Sequence, residues 1–340
     1  MYKILKDFPD APMERGWRDM LSRASRPGHY CAPEFFLEPK QGNRQAFAIL
    51  SIEREPSGRT AVTGVATGYD DGTQIRCGLN VSPQIAFDGS RSQPEIAASL
   101  IDGLLSIGRK TQLISVYTWE KCPVFVARGF RERPDMGTVV VDLSKGPEAV
   151  FAGFERKRAI HAIRAALRAG VTVREASDED IDEYYPILAE WSRRKGLPCG
   201  SLEHYRQLFR LRANRRLFVA FHEGKMAGGS VIRFLPGGIV EYAANSSRPE
   251  FQNLRPNDLL MWTAIEWACK QGYRTYSMGG THQFLRKFGG AIAPIYRYRM
   301  DRTWLRRHDR REAAASAVYD LFRRLPEGWR NRVKGILKRE

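Results

Sequence analysis

Apolar positions recur with two different periods along the first half of the chain. Ala46 to Ile52 alternates around Phe47, Ile49 and Leu50, and Thr60 to Thr67 follows the turn residues Pro56-Ser57-Gly58. The hairpin signal Asp70-Asp71-Gly72 then leads into a strand from Thr73 to Val81. The period lengthens over Glu95 to Ile107, where Ile96, Leu100, Leu104 and Ile107 share a helix face that Gly108 ends. Leu113 to Tyr117 is a strand, Val124 to Arg128 a short helix stopped by Gly129-Phe130, and Val139 to Leu143 another strand. A long helix is predicted from about Pro147 to Ala169, with Val150, Phe151, Phe154, Ile163 and Leu167 as its stripe and Gly170 as its stop.

The pattern then repeats. A strand at Val171 to Arg174 precedes Ser177-Asp178-Glu179-Asp180, a capping box for a helix carrying Ile181, Tyr184, Ile187, Leu188 and Trp191. A helix near Leu202 to Leu211 and strands at Arg216 to His222, Met226 to Phe234 and Ile239 to Asn245 come next. A helix at Asp258 to Lys270, a strand at Arg274 to Met278, a helix at Thr281 to Lys287 and a strand at Ile295 to Met300 complete the unit. Helix, Gly108, strand, helix, Gly129-Phe130 in the first half parallels helix, Gly272, strand, helix, Phe288-Gly289 in the second. Two tandem α/β units explain both the echo and the length of 340 residues, with domains at 1–146 and 147–301 and a tail at 302–340.

Composition changes this picture in two respects. Hydrophobic residues at 43% and charged residues at 27% describe an ordinary globular chain, but the net charge is +17. Such an excess favours phosphate-rich partners. Cys31, Cys77, Cys122, Cys199 and Cys269 form no C-x-x-C pair and the histidines no H-E-x-x-H, so neither a disulfide framework nor a metal site is expected. The first twelve residues hold Lys3, Lys6, Asp7 and Asp10, and no apolar run reaches membrane-spanning length, so a cytoplasmic location is expected.

Candidate chemistry gathers between 239 and 290. Strand alternation puts Glu241, Ala243 and Asn245 on one face and Val240, Tyr242 and Ala244 on the other. Glu241 is a candidate proton acceptor, directly or through water, and Tyr242 and His282 are candidate proton carriers. Arg248, Arg255, Asn257 and Asp258 lead into a helix whose free amides attract an anion. Gly279-Gly280 permits close backbone approach, Thr281 can cap the short helix, and Arg286 and Lys287 project from it.

Tyr276-Ser277-Met278-Gly279-Gly280, then Phe284-Leu285-Arg286-Lys287-Phe288-Gly289, resembles the acyl-donor half of GNAT acyltransferases, most closely the FemABX-like branch. The upstream helix from Asn257 to Gly272 and the entry Arg156-Lys157-Arg158, Arg164-Ala165, Gly170-Val171 share the likeness, which covers about 147 to 300. The resemblance implies two tandem GNAT-like domains, each a mixed sheet flanked by helices. It also implies N-acyl transfer from an acyl-CoA-type donor, without a metal, to an amine acceptor such as a small molecule or an envelope or polysaccharide precursor. Where the family usually has aspartate and lysine, this chain has Ser277 and Leu285, and the glycine-rich phosphate loop of ordinary GNAT enzymes is absent around Ser247 to Asn257. Two other readings therefore stay open: a FemABX-like transfer from aminoacyl-tRNA to a peptidoglycan precursor, and a non-catalytic module binding RNA or anionic lipid.

The tail at 302–340 holds twelve arginines and lysines against five acids. Val318, Leu321, Phe322 and Leu325 form one apolar stripe and Trp329, Val333, Ile336 and Leu337 another, separated by Pro326-Glu327-Gly328. A basic amphipathic helix of this kind can lie on an anionic membrane at its cytoplasmic face, track phosphates, or pack on its own domain.

Overall fold

The computed structural model describes residues 1–324 except 40–41, 57, 59, 79–81 and 135–136. The first half runs β1 (Tyr2–Leu5), α1 (Ala11–Arg23), β2 (Gln45–Arg54), β3 (Thr60–Asp70), β4 (Gln74–Cys77), β5 (Ile85–Phe87), α2 (Gln93–Ile107), β6 (Leu113–Thr118), α3 (Pro123–Ala127), β7 (Arg131–Pro134) and β8 (Thr138–Asp142). The second runs α4 (Gly146–Ala152), α5 (His161–Arg168), β9 (Thr172–Glu175), α6 (Asp180–Lys195), α7 (Leu202–Arg210), β10 (Arg215–His222), β11 (Lys225–Phe234) and β12 (Val240–Ser247). It ends with α8 (Pro256–Lys270), β13 (Thr275–Ser277), α9 (Gln283–Arg286), β14 (Ala291–Ala293), β15 (Tyr296–Asp301) and α10 (Arg307–Arg324). Among the described residues no helix is long and apolar enough to cross a membrane.

Two mixed sheets result, ordered β1-β2-β3-β4-β6-β15-β7, with β5 on β3, and β14-β8-β13-β12-β11-β10-β9. The internal echo has a structural counterpart: β6 pairs parallel to β4 as β13 pairs parallel to β12. Each of these strands then receives an antiparallel neighbour from across the chain. β15 lies on β6 through Tyr298↔Val116, and β8 lies on β13 through Tyr276↔Val141. Division by sheet is therefore not division by chain: β8 precedes the predicted break at 146/147 yet serves the second sheet, and β15 follows it yet serves the first. Exchanged strands fasten the halves with backbone hydrogen bonds, which explains how a site can draw on both.

Separate cores sit on the two sheets. In the second half, Leu260, Met261, Ala264, Ile265 and Ala268 of α8 are buried against Val240, Tyr276 and Met278. In the first, Ile96, Leu100, Ile101 and Leu104 of α2 pack on Ile49, Ile75 and Ile114.

Two sequence expectations need correction. The helix predicted over 147–169 is two, because the chain leaves the helix at Gly153 and turns through a π-helical stretch, Arg156–Ile160, before α5. The break lets Phe154 enter the core edge-on to Trp262 and Phe288, with ring centroids 5.5 and 5.4 Å away, and Glu155 N–H donate to the Lys287 carbonyl at 2.8 Å. The strand expected to reach Val81 ends at Cys77, and 79–81 lie outside the described residues. The first 44 residues, over which the sequence pattern predicts no element, hold β1, α1 and two 3-10 turns, His29–Cys31 and Pro33–Leu37. The tail begins as α10, whereas Leu325 and the second stripe from Trp329 lie outside the described residues, as does Ser57 of the first turn.

Candidate active site

β12 and β13 pair only at Val240↔Tyr276 and Glu241↔Ser277, after which they separate. The separation has a local cause. Beyond Ser277 the chain is drawn toward β8: Met278 N–H donates to the Val139 carbonyl at 2.8 Å, Val139 N–H to the Gly280 carbonyl at 2.9 Å, and Gly280 N–H to Thr138 Oγ1 at 3.1 Å. Thr138 Oγ1 also meets Ser277 Oγ at 3.2 Å, so the serine at the family's aspartate position is a buried link to the exchanged strand. β12 meanwhile stays with β11 and carries a bulge there, where the register slips between Val231↔Ala244 and Ile232↔Tyr242.

The bulge overturns simple alternation. Val240 and Tyr242 pack beneath α8, but past the bulge Asn245 Nδ2 donates to the Asn257 carbonyl (3.3 Å), also on that side. Asn257 Nδ2 returns a hydrogen bond to Ser247 Oγ at 3.0 Å, while Ser246 donates to Tyr184 of α6 on the opposite face at 2.9 Å. Glu241 and Asn245, expected on one face, lie on opposite faces because one extra residue inverts the phase.

The tip of α8 stands at the mouth of this fork. Arg255 holds the left-handed conformation (φ 60°) at its N-cap, and no side chain caps the helix, leaving first-turn amides available to an anion. Asp258 in that turn is buried and ion-paired with Lys287, whose ammonium also lies 4.3 Å from the centre of the Phe284 ring. Burial raises the Asp258 pKa against the pull of Lys287. Leu285, at the family's lysine position, is core, so Lys287 is the cation the short helix turns inward. Asn245 Oδ1 and Asn257 Oδ1 are buried without a donor among the described residues. Arg248 Nε donates to the Met226 carbonyl at 3.0 Å, and Arg255 is exposed.

The remaining predicted residues occupy the far arm of the fork and its surroundings. Gly279 is left-handed (φ 67°), and the Thr281 carbonyl accepts from Arg286 Nε at 2.5 Å. His282 and Arg286 are exposed on α9, and burial lowers the His282 pKa. Tyr242 packs in the core beneath α8, its pKa raised by burial.

Glu241 is only 2% exposed and faces the first half of the chain. His29 Nδ1 lies 3.1 Å from Glu241 Oε2, and a Cβ on Gly28 would meet that oxygen at 3.0 Å, so Gly28 lets the backbone close over the carboxylate. The turn bearing His29 is held by Ile239 N–H to the Pro27 carbonyl (3.2 Å), Trp17 Nε1 to the Cys31 carbonyl (2.8 Å) and Thr67 Oγ1 to the Tyr30 carbonyl (2.7 Å). Burial pushes the His29 pKa down to about 3, so at neutral pH the imidazole is uncharged and Nδ1–H donates to the carboxylate. Burial also works against ionisation of Glu241, but the His29 hydrogen bond, the nearby Arg233 and the Ser82 hydroxyl hold its pKa below the ordinary carboxylate value. His29 Nε2 has no hydrogen-bond partner among the described residues and lies 3.9 Å from Glu38 Oε1.

Glu38 opens onto a cavity of about 260 Å³ between the halves, lined also by Tyr30, Tyr69, Tyr205, Arg215 and Arg233 and by the bulge residues Ala243 and Ala244. Glu38 and Arg215 form a buried ion pair. Arg233 lies over the Tyr30 ring at 4.8 Å, and its Nε is buried and unpartnered among the described residues. Sequence reasoning missed His29, Tyr30, Glu38, Arg215 and Arg233. The signal available was a charge inside an apolar run: Arg233 interrupts Val231-Ile232 and Phe234-Leu235. A strand buried on both faces tolerates such a residue only where a partner or a cavity receives it.

A sheet forked beside a bulge with a helix tip at the opening, preceded by a second mixed sheet that repeats its parallel strand pair, has the GNAT-like fold in tandem. Residues 153–287 match the family model described as Acetyltransferase (GNAT) domain. The structure resembles that of FemX, with a TM-score of 0.67 and 14% identity over 88% of this chain and 98% of that one. It also resembles a tandem GNAT protein from the clavulanic acid biosynthesis pathway, solved without AcCoA (TM-score 0.57, 14% identity, 89% of this chain and 99% of that one). A third likeness is to L-PGS from Bacillus licheniformis (TM-score 0.56, 13% identity, 88% and 93%). At these identities the likeness is one of fold. No curated protein matches the chain.

Proposed function

We propose that the protein is an N-acyltransferase that moves an acyl group from an acyl-CoA-type donor to an amine held in the cavity between its halves. The observation that carries this reading is the fork itself. Immediately beyond Glu241↔Ser277 the strands part, an uncapped helix tip faces the gap, and the buried Asn245 Oδ1 and Asn257 Oδ1 await donors. A pantetheine arm carries amide N–H groups that suit those two oxygens, and the α8 amides with Arg248 and Arg255 suit its phosphates. Asp258 would repel them, but Lys287 neutralises it. Bound there, the thioester supplies an activated carbonyl.

The chain's own residues then order the acceptor. Among the described residues the cavity wall carries Arg44, Arg215 and Arg233 against one acid, Glu38, which favours an amine that also bears a carboxylate or phosphate. An envelope precursor has that chemistry. Uncharged His29 donates Nδ1–H to the Glu241 carboxylate and so pins the turn that carries Tyr30 to the cavity wall. Glu241 thus acts through His29 as a positioning residue.

Calorimetric titration with acetyl-CoA and longer acyl-CoAs tests the donor. Saturable binding is expected, weakened about tenfold by Arg255→Ala, consistent with one lost charge-assisted contact. Absence of binding to every acyl-CoA, with retention of aminoacyl-tRNA, would transfer the assignment to a tRNA-dependent reaction.

A further inference from the structure

We infer that the face formed by the β7–β15 edge and the start of α10 docks on an anionic phospholipid surface. A cavity of about 560 Å³ there is lined by Arg131, Arg133, Arg302, Arg306 and Arg310, with Asp301 and Asp309 as its acids. Both acids are already engaged. Asp301 accepts from Thr303 N–H at 3.0 Å, Thr303 Oγ1 at 2.6 Å and Asp309 N–H at 2.9 Å. Asp309 is buried with its Oδ1 3.2 Å from Arg299 Nε, and Glu312 pairs with Arg297 and Arg299. No carboxylate among the described residues pairs with Arg131, Arg133, Arg306 or Arg310, and Arg306 Nη1 is shielded without a partner. The inward arginines are neutralised while the cavity arginines are not. That division leaves a concentrated positive field at one edge of the molecule.

Apolar groups stand beside this field. Trp304 is 78% exposed and Leu305 is 55% exposed. Leu305 and Arg306 both take left-handed backbone angles, φ 53° and 51°, a conformation that residues with a Cβ rarely adopt in succession. α10 leaves the domain immediately afterwards: Ala313 to Val318 are exposed, Val318 by 67%. A free anion would use the arginines alone and gain nothing from an exposed indole and leucine. A bilayer uses both, because phosphodiester head groups meet the guanidinium groups while tryptophan and leucine enter the interfacial layer.

The test uses the full chain in a flotation assay with vesicles of phosphatidylcholine alone or with about a third phosphatidylglycerol, each basic residue near such a surface being worth about fivefold in partition. Flotation with the anionic vesicles only, declining with added salt, is expected. Arg306→Glu combined with Arg310→Glu should weaken it at least tenfold, and Trp304→Ala should weaken it several-fold, with circular dichroism unchanged. Equal partition onto neutral and anionic vesicles would overturn the inference without recourse to any variant, as would variants that float like the parent chain. Capture by an RNA oligonucleotide with no vesicle binding would also overturn it and assign the arginines to nucleic acid. Flotation requires no turnover, so its outcome is separate from that of the acyl-transfer reading.

Discussion

The sealed junction between His29 and Glu241 predicts an acid-sensitive fold with a single residue as its main source. In the unfolded chain His29 takes up a proton near its ordinary value of 6.5, whereas in the folded protein burial holds it down to about 3. Between those values the unfolded state binds one more proton, so stability falls as pH falls through about 6.5 and keeps falling until about 3. Integrating that difference from about pH 7.5 to about pH 5 gives a loss of roughly 2 kcal/mol, or roughly 3 °C in Tm for a chain of this size. Glu241 works in the same direction, but its depressed pKa acts below the unfolded carboxylate value and so outside this window. Glu38 and Asp258, both raised by burial, oppose the trend, and do so equally in a His29 variant that preserves their surroundings. The comparison is therefore between the parent chain and His29→Asn, whose amide can still donate to Glu241 but does not titrate. Thermal unfolding of both at the two pH values should show the parent losing more by about 2 kcal/mol. Superimposable pH profiles would mean that His29 titrates like an exposed imidazole, and the closed junction would be refuted.

Other consequences follow from the same packing. Lys287→Met strands Asp258 in the core and should cost about 3 kcal/mol in chemical denaturation at neutral pH, with the deficit shrinking toward acid as the carboxyl protonates; adding Asp258→Asn should restore most of it. Gly28→Ala places a methyl 3.0 Å from Glu241 Oε2 and should destabilise by about 1–3 kcal/mol, while Glu241→Gln keeps an acceptor for His29 Nδ1–H and should leave thermal unfolding at neutral pH largely intact. Gly290→Ala drives a methyl into the Val140 carbonyl with φ at 89°, so it should loosen β14 from β8 and lower Tm by several degrees.

What could be read from the sequence was whatever is encoded locally. The strand and helix periods of the second half, the Gly108 and Gly272 stops and the internal echo all depend on neighbours within a few turns, and the elements fall close to where those patterns put them. Glu241 and the α8 tip were legible for the same reason: a charge within an apolar strand and a Pro-Asn-Asp entry are visible in one short window. The bulge in β12 was not, because Tyr242-Ala243-Ala244 carries no glycine or proline to mark it, and the register slip exists only in relation to β11. The break after α4 was partly visible as Gly153, but its reason is the seat Phe154 takes between Trp262 and Phe288, more than a hundred residues away.

The strand exchange explains why the site was half hidden. A reading that divides the chain at 146/147 assigns the chemistry to one side and leaves the first 44 residues without a task. Because β8 completes the second sheet and β15 completes the first, neither half closes its sheet alone, and the surfaces between them are held in fixed register by backbone pairing. Only that fixed register makes it possible to bury a carboxylate on one half against an imidazole on the other at 3.1 Å and an ion pair between Glu38 and Arg215 beside it. Halves free to rock would expose those charges to water and forfeit the shielding that sets their protonation. A second domain that contributed no exchanged strand could flank the cavity but could not hold His29 against Glu241. The tandem arrangement is thus a structural requirement of the site, and the first 44 residues belong to it as fully as β12 does.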